Sequence, residues 1–585
     1  MKTRLRSLIS LLIGTSLLLS ACSQSPQSAE SSAPPVSSAP ASQSSSESQS
    51  QSETAAPEET YDYTDYRAHS QFPLTKQTPL TLAVRRDPSY GADWEDTWFW
   101  NWMKDKSGLE FEIEQVLPAA VADRKNLMFA SGSLPDVLIG FSFSTGELVK
   151  YGQTEGQLLA INDYITPDIM PFLSQWFGDY PQWESSCKAP DGNIYSLPCF
   201  NAYTPGNSER FFWNTTWLKD VGKEIPSTLD EFLDVLYAFK EKRPDSYPLG
   251  GGANGDDPRS YILNAMGFLG TYTGDKGYNI ALREGEIVIP GGDPVYKEYL
   301  TIMKQLYDDG IINPSFFSME KTAIDAMIAE DKTGAIPIYP YLATPEVEKF
   351  SQWESGNPLT SKWNSTPQWL AASRLIIGGC VVTADAQEAE TIMRWLDFFY
   401  SDLGGLYMWN GPASNSEDCM GLTKGFTIRE DGSSVYLDVE DKTYESNLVR
   451  NYQQMMGFFN VFGNRSNAVG EPETTQLNIM QRLYGAPIAE TTYDMSNGDQ
   501  NYRYSCLQHM TPYEVDKFPY IIYFDEETNT IVSDLASVIQ PFIETETAKF
   551  ITGIRDINEF DTYLSELKSL NFETYLNYYR NAWSA

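Results

Sequence analysis

Apolar and polar positions recur with two different periods along the chain, and the switches between them mark its elements. Leu80–Val84 reads as a buried strand, and Arg85-Arg86-Asp87-Pro88 breaks it. Asp93–Lys106 has helical spacing and a heavy load of rings: Trp94, Trp98, Phe99, Trp100 and Trp102. Trp98 and Trp102 share one face at i, i+4, and Trp94 extends that stripe. Leu109–Val116 alternates as a second strand, Ala119–Ala130 is helical, and Ser131-Gly132-Ser133 ends the helix before a short strand, Leu134–Leu138. Strand, helix, strand in this order predicts a βαβ unit and a parallel sheet. The binding crevice of such a sheet lies beyond the carboxyl ends of its strands, which points to the loops 86–94 and 140–144. Further on, Asp191–Pro198 is a turn entering a strand and Phe211–Asn214 is another short strand. Thr228 and Glu231 sit at capping-box spacing, opening a helix that runs through Lys240 and stops at Pro244.

Ahead of this body the pattern is different. Lys2, Arg4 and Arg6 precede an apolar run from Leu8 to Leu19, closed by Leu19-Ser20-Ala21-Cys22. That is the layout of a signal peptide, 1–21, too short to remain as a membrane span, which takes about 20 apolar residues. A Cys directly after a small residue at the cut resembles the bacterial lipobox. The resemblance implies a diacylglyceryl group on the Cys22 thiol and Cys22 as the mature amino terminus, an anchor made stable by two or more acyl chains. An ordinary secretory signal that contains a Cys is the alternative. Residues 23–60 are Ser, Gln, Ala, Glu, Thr and Pro with one Val and no aromatic residue, so they cannot bury enough surface to offset chain entropy. The expectation is a disordered tether over 22–70, reaching about 35–40 Å.

Composition and charge narrow the function. Hydrophobic content of 41% with 13% aromatic residues suits a large core in the body. A net charge of −37 argues against nucleic acid as a partner, since that needs a basic footprint. Of two histidines, His69 lies in the tether, which leaves His509 for a site. There is no HExxH, no GxSxG and no paired-Cys zinc spacing, and no metal or other cofactor is expected. Beyond Cys22 the cysteines are Cys187, Cys199, Cys380, Cys419 and Cys506. Cys187 and Cys199 flank the Pro190-Asp191-Gly192 turn and either bridge or stay as buried thiols.

Several segments in a fixed order carry a resemblance. ADRKNLMFASGSLPDVL (Ala122–Leu138), DGNIYSLP (Asp191–Pro198) and the run Phe211–Lys242 are the first three. Tyr307–Pro314, Met327–Ile336, the strand–helix Ile376–Ser401 and the closing helices Lys549–Asn581 follow. Together they resemble family 1 extracellular solute-binding proteins, the maltose-binding-protein-like receptors of ABC importers, over nearly all of 78–581. The resemblance implies an α/β, two-lobed periplasmic-binding-protein-like fold. Each lobe would be a mainly parallel sheet flanked by helices, and hinge strands would join the two. The body, 71–585, would be interleaved, with lobe 1 over about 71–205 and 360–410 and lobe 2 over about 206–359 and 411–585. Two departures stand out. Arg243–Leu249 lacks the alternating acidic ligands of a calcium loop. Gly140-Phe141-Ser142-Phe143 stands where many oligosaccharide binders have a Trp or an acidic residue, so only the loop position carries over.

Sugars offer apolar faces to aromatic plates and hydroxyls to polar side chains. In the resembled family the segment after Gly334-Ala335-Ile336 leads into the cleft and often ends in a stacking Trp. Here it reads Pro337-Ile338-Tyr339-Pro340-Tyr341, which implies Tyr341 as the stacking residue and Tyr339 as second choice, with core or rim packing as the alternative. The other candidate ligand contacts are Arg86 and Trp94 in the first loop, Phe143 in the second, Trp213 at the hinge strand and Tyr203 on its approach. Trp409 in the loop to Cys419 and Asp257 at a helix start complete the set. Glu209 and Arg210 are either a hinge ion pair or ligand contacts. The expected function is a monomeric, lipid-anchored receptor on the extracytoplasmic face of the cell membrane. It would capture an oligosaccharide by lobe closure and deliver it to an ABC permease. The alternatives are a glycoside hydrolase-type lipoprotein using a carboxylate pair, and a receptor for peptides or lipopeptides.

Overall fold

The computed structural model describes residues 66–86, 93–200, 211–253, 256–270, 277–370, 375–409, 411–412, 418, 426–428, 434–436, 495–496, 498–515 and 521–584. The signal peptide, Cys22, Tyr203, Glu209, Arg210 and Cys419 lie outside them, as does all but the end of the tether. Tyr61–Ala585 form one compact unit.

Leu80–Arg85 (β1), Phe111–Val116 (β2) and Val137–Ile139 (β3) pair in parallel, with Leu80 opposite Phe111 and Val84 opposite Ile139. The helices between them, Trp98–Ser107 (α1) and Val121–Ser131 (α2), begin and end on local chemistry. Thr97 Oγ1 accepts the Trp100 N–H, and Gly108 and Gly132 adopt left-handed φ values of 72° and 68° after the last turns. The strands that follow include Leu197–Phe200 (β4), Phe212–Asn214 (β5), Ala335–Ile336 (β6), Trp353–Ser355 (β7), Trp369–Leu370 (β8), Leu375–Val382 (β9) and Glu514–Val515 (β10), beside a small three-strand group of Leu269–Gly270, Ala281–Arg283 and Glu286–Val288 and an antiparallel pair, Phe426–Ile428 and Ser434–Tyr436.

The first sheet has the order β2-β1-β3-β9-β4. β9 runs antiparallel to both neighbours, with Cys380 opposite Ile139 and Leu375 opposite Phe200. Four strands therefore run one way and β9 runs back. The second sheet, β7-β5-β6, is antiparallel throughout, which corrects the expectation of a mainly parallel sheet in each lobe. The reason is the path of the chain. β5 and β9 each enter from the other lobe, so no crossover helix forces them to share their neighbours' direction.

Each sheet sits against its own core. In the first lobe, Trp98, Trp102, Phe398 and Tyr407 interlock, with Trp98 and Trp102 stacked at 6.2 Å and Tyr407 edge-on to Trp102 at 5.1 Å. Rings of this size contribute about 1.5–3 kcal/mol each by burial. Packing starts before residue 71, since the Tyr66 ring meets Trp102 edge-on at 6.0 Å. In the second lobe the Asn214 side chain caps Thr215–Val221 (α3), and the capping box of Thr228 and Glu231 opens Leu229–Lys242 (α4). Arg259–Ala265 (α5), Tyr296–Asp308 (α6) and the carboxyl-terminal helices complete that core. Trp369 and Leu370 belong to it as well, and β8 pairs with β10, so the second lobe runs past residue 360. In the other direction Asp418 belongs with the first lobe, where its carbonyl accepts the Trp98 indole N–H and its carboxylate the Tyr407 hydroxyl.

One helix touches both lobes. Glu526–Ile551, 26 residues long, rests its first turn on the first lobe. Thr154 Oγ1 donates to Glu526 Oε2 at 2.9 Å, and the Asn529 amide lies against Gly146, where an added Cβ would overlap it. Its later residues Ile539, Ile543 and Phe550 lie in the second core, and Tyr296 and Thr547 share a hydrogen bond of 2.9 Å. Cys187, Cys199, Cys380 and Cys506 are buried thiols with no disulfide among them, and burial pushes the Cys187 thiol up to about 12.

Candidate functional site

The chain leaves the first sheet at the end of β4 and enters the second at the start of β5. It returns from β8 to the start of β9. These two passages define one edge of each sheet. On the first lobe it carries the carboxyl ends of β1 and β3, hence Arg86 and the 140–144 loop. On the second lobe β6 and β7 run antiparallel to β5, so their carboxyl ends lie where β5 begins. Pro337–Tyr341, which follows β6, and Gly356–Asn357, which follows β7, are therefore on the crossing edge. This is the edge at which an open α/β sheet presents its binding residues.

The aromatic pair expected from the sequence stands here. Tyr339 ends the approach and Tyr341 lies in the short helix Pro340–Ala343 (α7). Their rings are 6.0 Å apart and both are partly exposed. A third ring joins them from Gly498–His509 (call it α10, after Ala389–Asp397, α8, and Asp402–Trp409, α9). Tyr502 is 4.2 Å from Tyr339 and 5.7 Å from Tyr341, lies within 13° of the Tyr341 plane, and is itself buried. Beside the rings is a polar group. His509 Nε2 meets Glu354 Oε1 at 2.8 Å and Nδ1 meets Asn357 Oδ1 at 3.2 Å. The buried Tyr261 hydroxyl donates to the Asn357 carbonyl, and the Ser355 N–H donates to Ser505 Oγ at 2.7 Å.

The hydrogen bond from His509 outweighs partial burial and, with the attraction of His509 and Lys219, holds the Glu354 carboxyl below its ordinary value of 4.5. A carboxyl depressed in the folded state adds stability above its unfolded pKa and loses it as pH falls through the folded one. The Glu354 side chain is about half exposed, so solvent screens the pair and the expected cost of Glu354→Gln near neutral pH is about 0.5–1 kcal/mol. Urea unfolding of the two proteins should show that difference shrinking to nothing below the carboxylate range. A difference that persists in strong acid would mean that the pair does not carry it.

The remaining candidates divide by placement. Trp94 is buried and stacked on Trp100 at 5.1 Å, so it packs the first core instead of facing open space. Phe143 is buried between Phe129 and the Lys125 ammonium, 4.7 Å above its ring. Trp213 is fully buried against Phe232, because β5 is the central strand of its sheet. Asp257 is buried in an ion pair with Arg259. Arg86 is at the crossing edge, its N–H bonded to the Val116 carbonyl at 2.7 Å and its side chain buried. Trp409 ends α9, and its side chain lies outside the description, as do Tyr203 and the residues between β4 and β5. The structure thus gathers Tyr339 and Tyr341 with His509, the histidine left for a site by the sequence, and adds Tyr502 and Ser505. Tyr502, Ser505, Cys506 and His509 follow the i, i+3, i+4, i+7 spacing of one helical face, a signal present in the sequence that the strand-and-loop reading passed over.

A two-lobed α/β body whose sheets present one shared edge, with partly exposed rings on it, defines a class of ligand-capturing receptor. The chain belongs to the family of bacterial extracellular solute-binding proteins, whose profile matches residues 88–404. It is similar to the fructooligosaccharide ABC transporter substrate-binding protein FusA of Streptococcus pneumoniae serotype 4 (strain ATCC BAA-334 / TIGR4), with 23% identity over 369 residues, 58% of this chain and 64% of FusA. Lipoprotein LipO of Bacillus subtilis (strain 168) is 25% identical over 244 residues, 39% of this chain and 44% of its own length. The chain therefore spans less than two thirds of either relative. Among solved structures, FusA in complex with kestose superposes with a TM-score of 0.65 at 20% identity, covering 87% of this chain and 99% of that one. The HMO binding ABC-transporter associated solute binding protein of Bifidobacterium longum infantis ATCC 15697 gives 0.67 at 17%, covering 86% and 98%. These likenesses establish the two-lobed fold.

Proposed function

We propose that this chain is a lipid-anchored receptor that captures an oligosaccharide between its lobes and hands it to an ABC permease. The observation that carries the reading is the Tyr339–Tyr341 pair at the crossing edge of a solute-binding fold. Relatives named for fructooligosaccharide and HMO binding support a carbohydrate ligand, and the family is one of binding proteins, so lobe closure and not covalent chemistry does the work. Leu19-Ser20-Ala21-Cys22, and a relative named as a lipoprotein, support the anchor at Cys22 on the extracytoplasmic face. In mechanism, the rings stack on sugar faces, closure removes water from the stack, and the closed form is what the permease receives.

Isothermal titration of the purified full chain with plant, host and storage oligosaccharides tests this, with a short-peptide pool as control. One glycan series should bind and come through uncleaved. Tyr341→Ala should weaken it by roughly ten- to a hundredfold, the loss of about 1.5–3 kcal/mol of buried ring. Binding of peptides alone, or cleavage of the titrant, would sink the reading.

A further inference from the structure

We propose that α10 is the specificity wall of the site, and that Tyr502 occupies the place a further sugar ring would take against Tyr339 and Tyr341. This rests on the oligosaccharide reading above. Aromatic rings pack offset or edge-on with centroids about 4.5–7 Å apart, and a sugar face stacks on a ring at comparable range. Tyr502 lies 4.2 Å from one tyrosine and 5.7 Å from the other. It is 3% exposed, while its two partners remain partly open. One side of the pair is therefore filled by protein, and the ligand is left the other.

The helix that brings Tyr502 there is seated along its length. At its start, Gly498 lies against the Tyr341 side chain, where an added Cβ would overlap it. In the middle, Ser505 takes the N–H of Ser355 at 2.7 Å, and Cys506 is buried on the same face. At its end, His509 joins Glu354 and Asn357, and Asn357 is held from behind by Tyr261. A helix fixed at both ends and in the middle keeps its aromatic side chain in one place, as a wall must if it is to discriminate between ligands. The part of the chain that does this lies beyond the segment matched by the family profile.

A wall of this kind sets length selectivity: it excludes the glycan that needs one more stacked ring. The test is titration of the full chain with linear oligosaccharide ladders from the disaccharide upward, for whichever glycan series the wild type binds. The readout is the ratio of affinities between the preferred length and the next one up. Tyr502→Ala should shift that ratio tenfold or more toward the longer glycan, Tyr502→Phe should leave it as in wild type, and Gly498→Ala, which lifts α10 off Tyr341, should move it in the same direction as Tyr502→Ala. A merely structural role would weaken all lengths alike and leave the ratio unchanged, which would overturn the proposal. If no glycan bound the wild type, the oligosaccharide reading would fall and this inference with it. If glycans bound and the ratio did not move in either variant, only the wall would be wrong.

Discussion

Arg259→Met should lower the unfolding free energy by about 3–5 kcal/mol, because it strands an ionised carboxylate inside the second lobe. Arg259 and Asp257 are 1% and 4% exposed. The guanidinium Nε donates to Asp257 Oδ2 at 2.8 Å, while the Arg259 backbone N–H donates to Oδ1 at 3.0 Å. The arginine carbon lies 5.6 Å from the Phe316 ring centre and 5.9 Å from that of Phe317. Burial works against the charge, but the Asp257 carboxylate overrides it and raises the guanidinium above its ordinary value. Removing one partner leaves the other desolvated and unmatched; removing both leaves an apolar hole that Met and Leu can largely fill. Chemical denaturation should therefore find Arg259→Met far less stable than wild type and the double variant Asp257→Leu/Arg259→Met recovering much of the loss. A single variant within about 1 kcal/mol of wild type would mean the pair is solvated. Large destabilisation with rescue would assign Asp257 to holding α5 in place, not to touching ligand.

The second large effect is at Gly378. β9 bulges between Ile376 and Cys380, and at the bulge Gly378 has a φ of 78°. Its carbonyl accepts the Phe143 N–H at 2.8 Å, and the Gly379 carbonyl accepts that of Gly140 at 2.7 Å. An added Cβ would overlap the Phe143 carbonyl oxygen, which belongs to backbone and has no rotamer to yield. Gly378→Ala thus combines a left-handed conformation with a clash, for about 2–5 kcal/mol together. Gly132→Ala provides the control: its φ is 68°, but nothing lies within 4 Å of the added carbon, so only the conformational part, about 1 kcal/mol, applies. Thermal melting of the two variants separates these contributions, and equal losses would refute the clash. Hydrogen exchange should show the 140–144 loop loosened in Gly378→Ala alone.

What could be read beforehand follows from where the information lies. The β1-α1-β2-α2-β3 run, the capping box at Thr228 and Glu231 and the strand entering at Leu197 were legible, because each is set by neighbours within a few residues. The reversed β9 and the antiparallel second sheet were not, since direction is decided by partners far away in sequence. β6 and β8 have two residues each, too few to show a period. Site residues divided in the same way. Tyr339 and Tyr341 came from position within a resembled motif, and the structure sets them on the crossing edge. Trp94, Phe143 and Trp213 are equally aromatic, and neither a place in a loop nor a place in a three-residue strand says whether the ring turns inward. Here the packing partners decide: Trp100 for the first, Phe129 for the second, Phe232 for the third. Asp257 reads as a ligand contact because its partner, Arg259, is only two residues away and itself reads as surface charge.

The helix Glu526–Ile551 works as a lever arm. At about 1.5 Å of rise per residue it extends for roughly 40 Å, with its first turn bearing on Gly146 and Thr154 of one lobe and its shaft bedded in the other. A rotation of the lobes by a few degrees moves the far end of such an arm by ångströms while the fulcrum barely shifts. The Asn529 amide packs directly on Gly146, so any side chain at that position would have to push the arm's first turn off its seat.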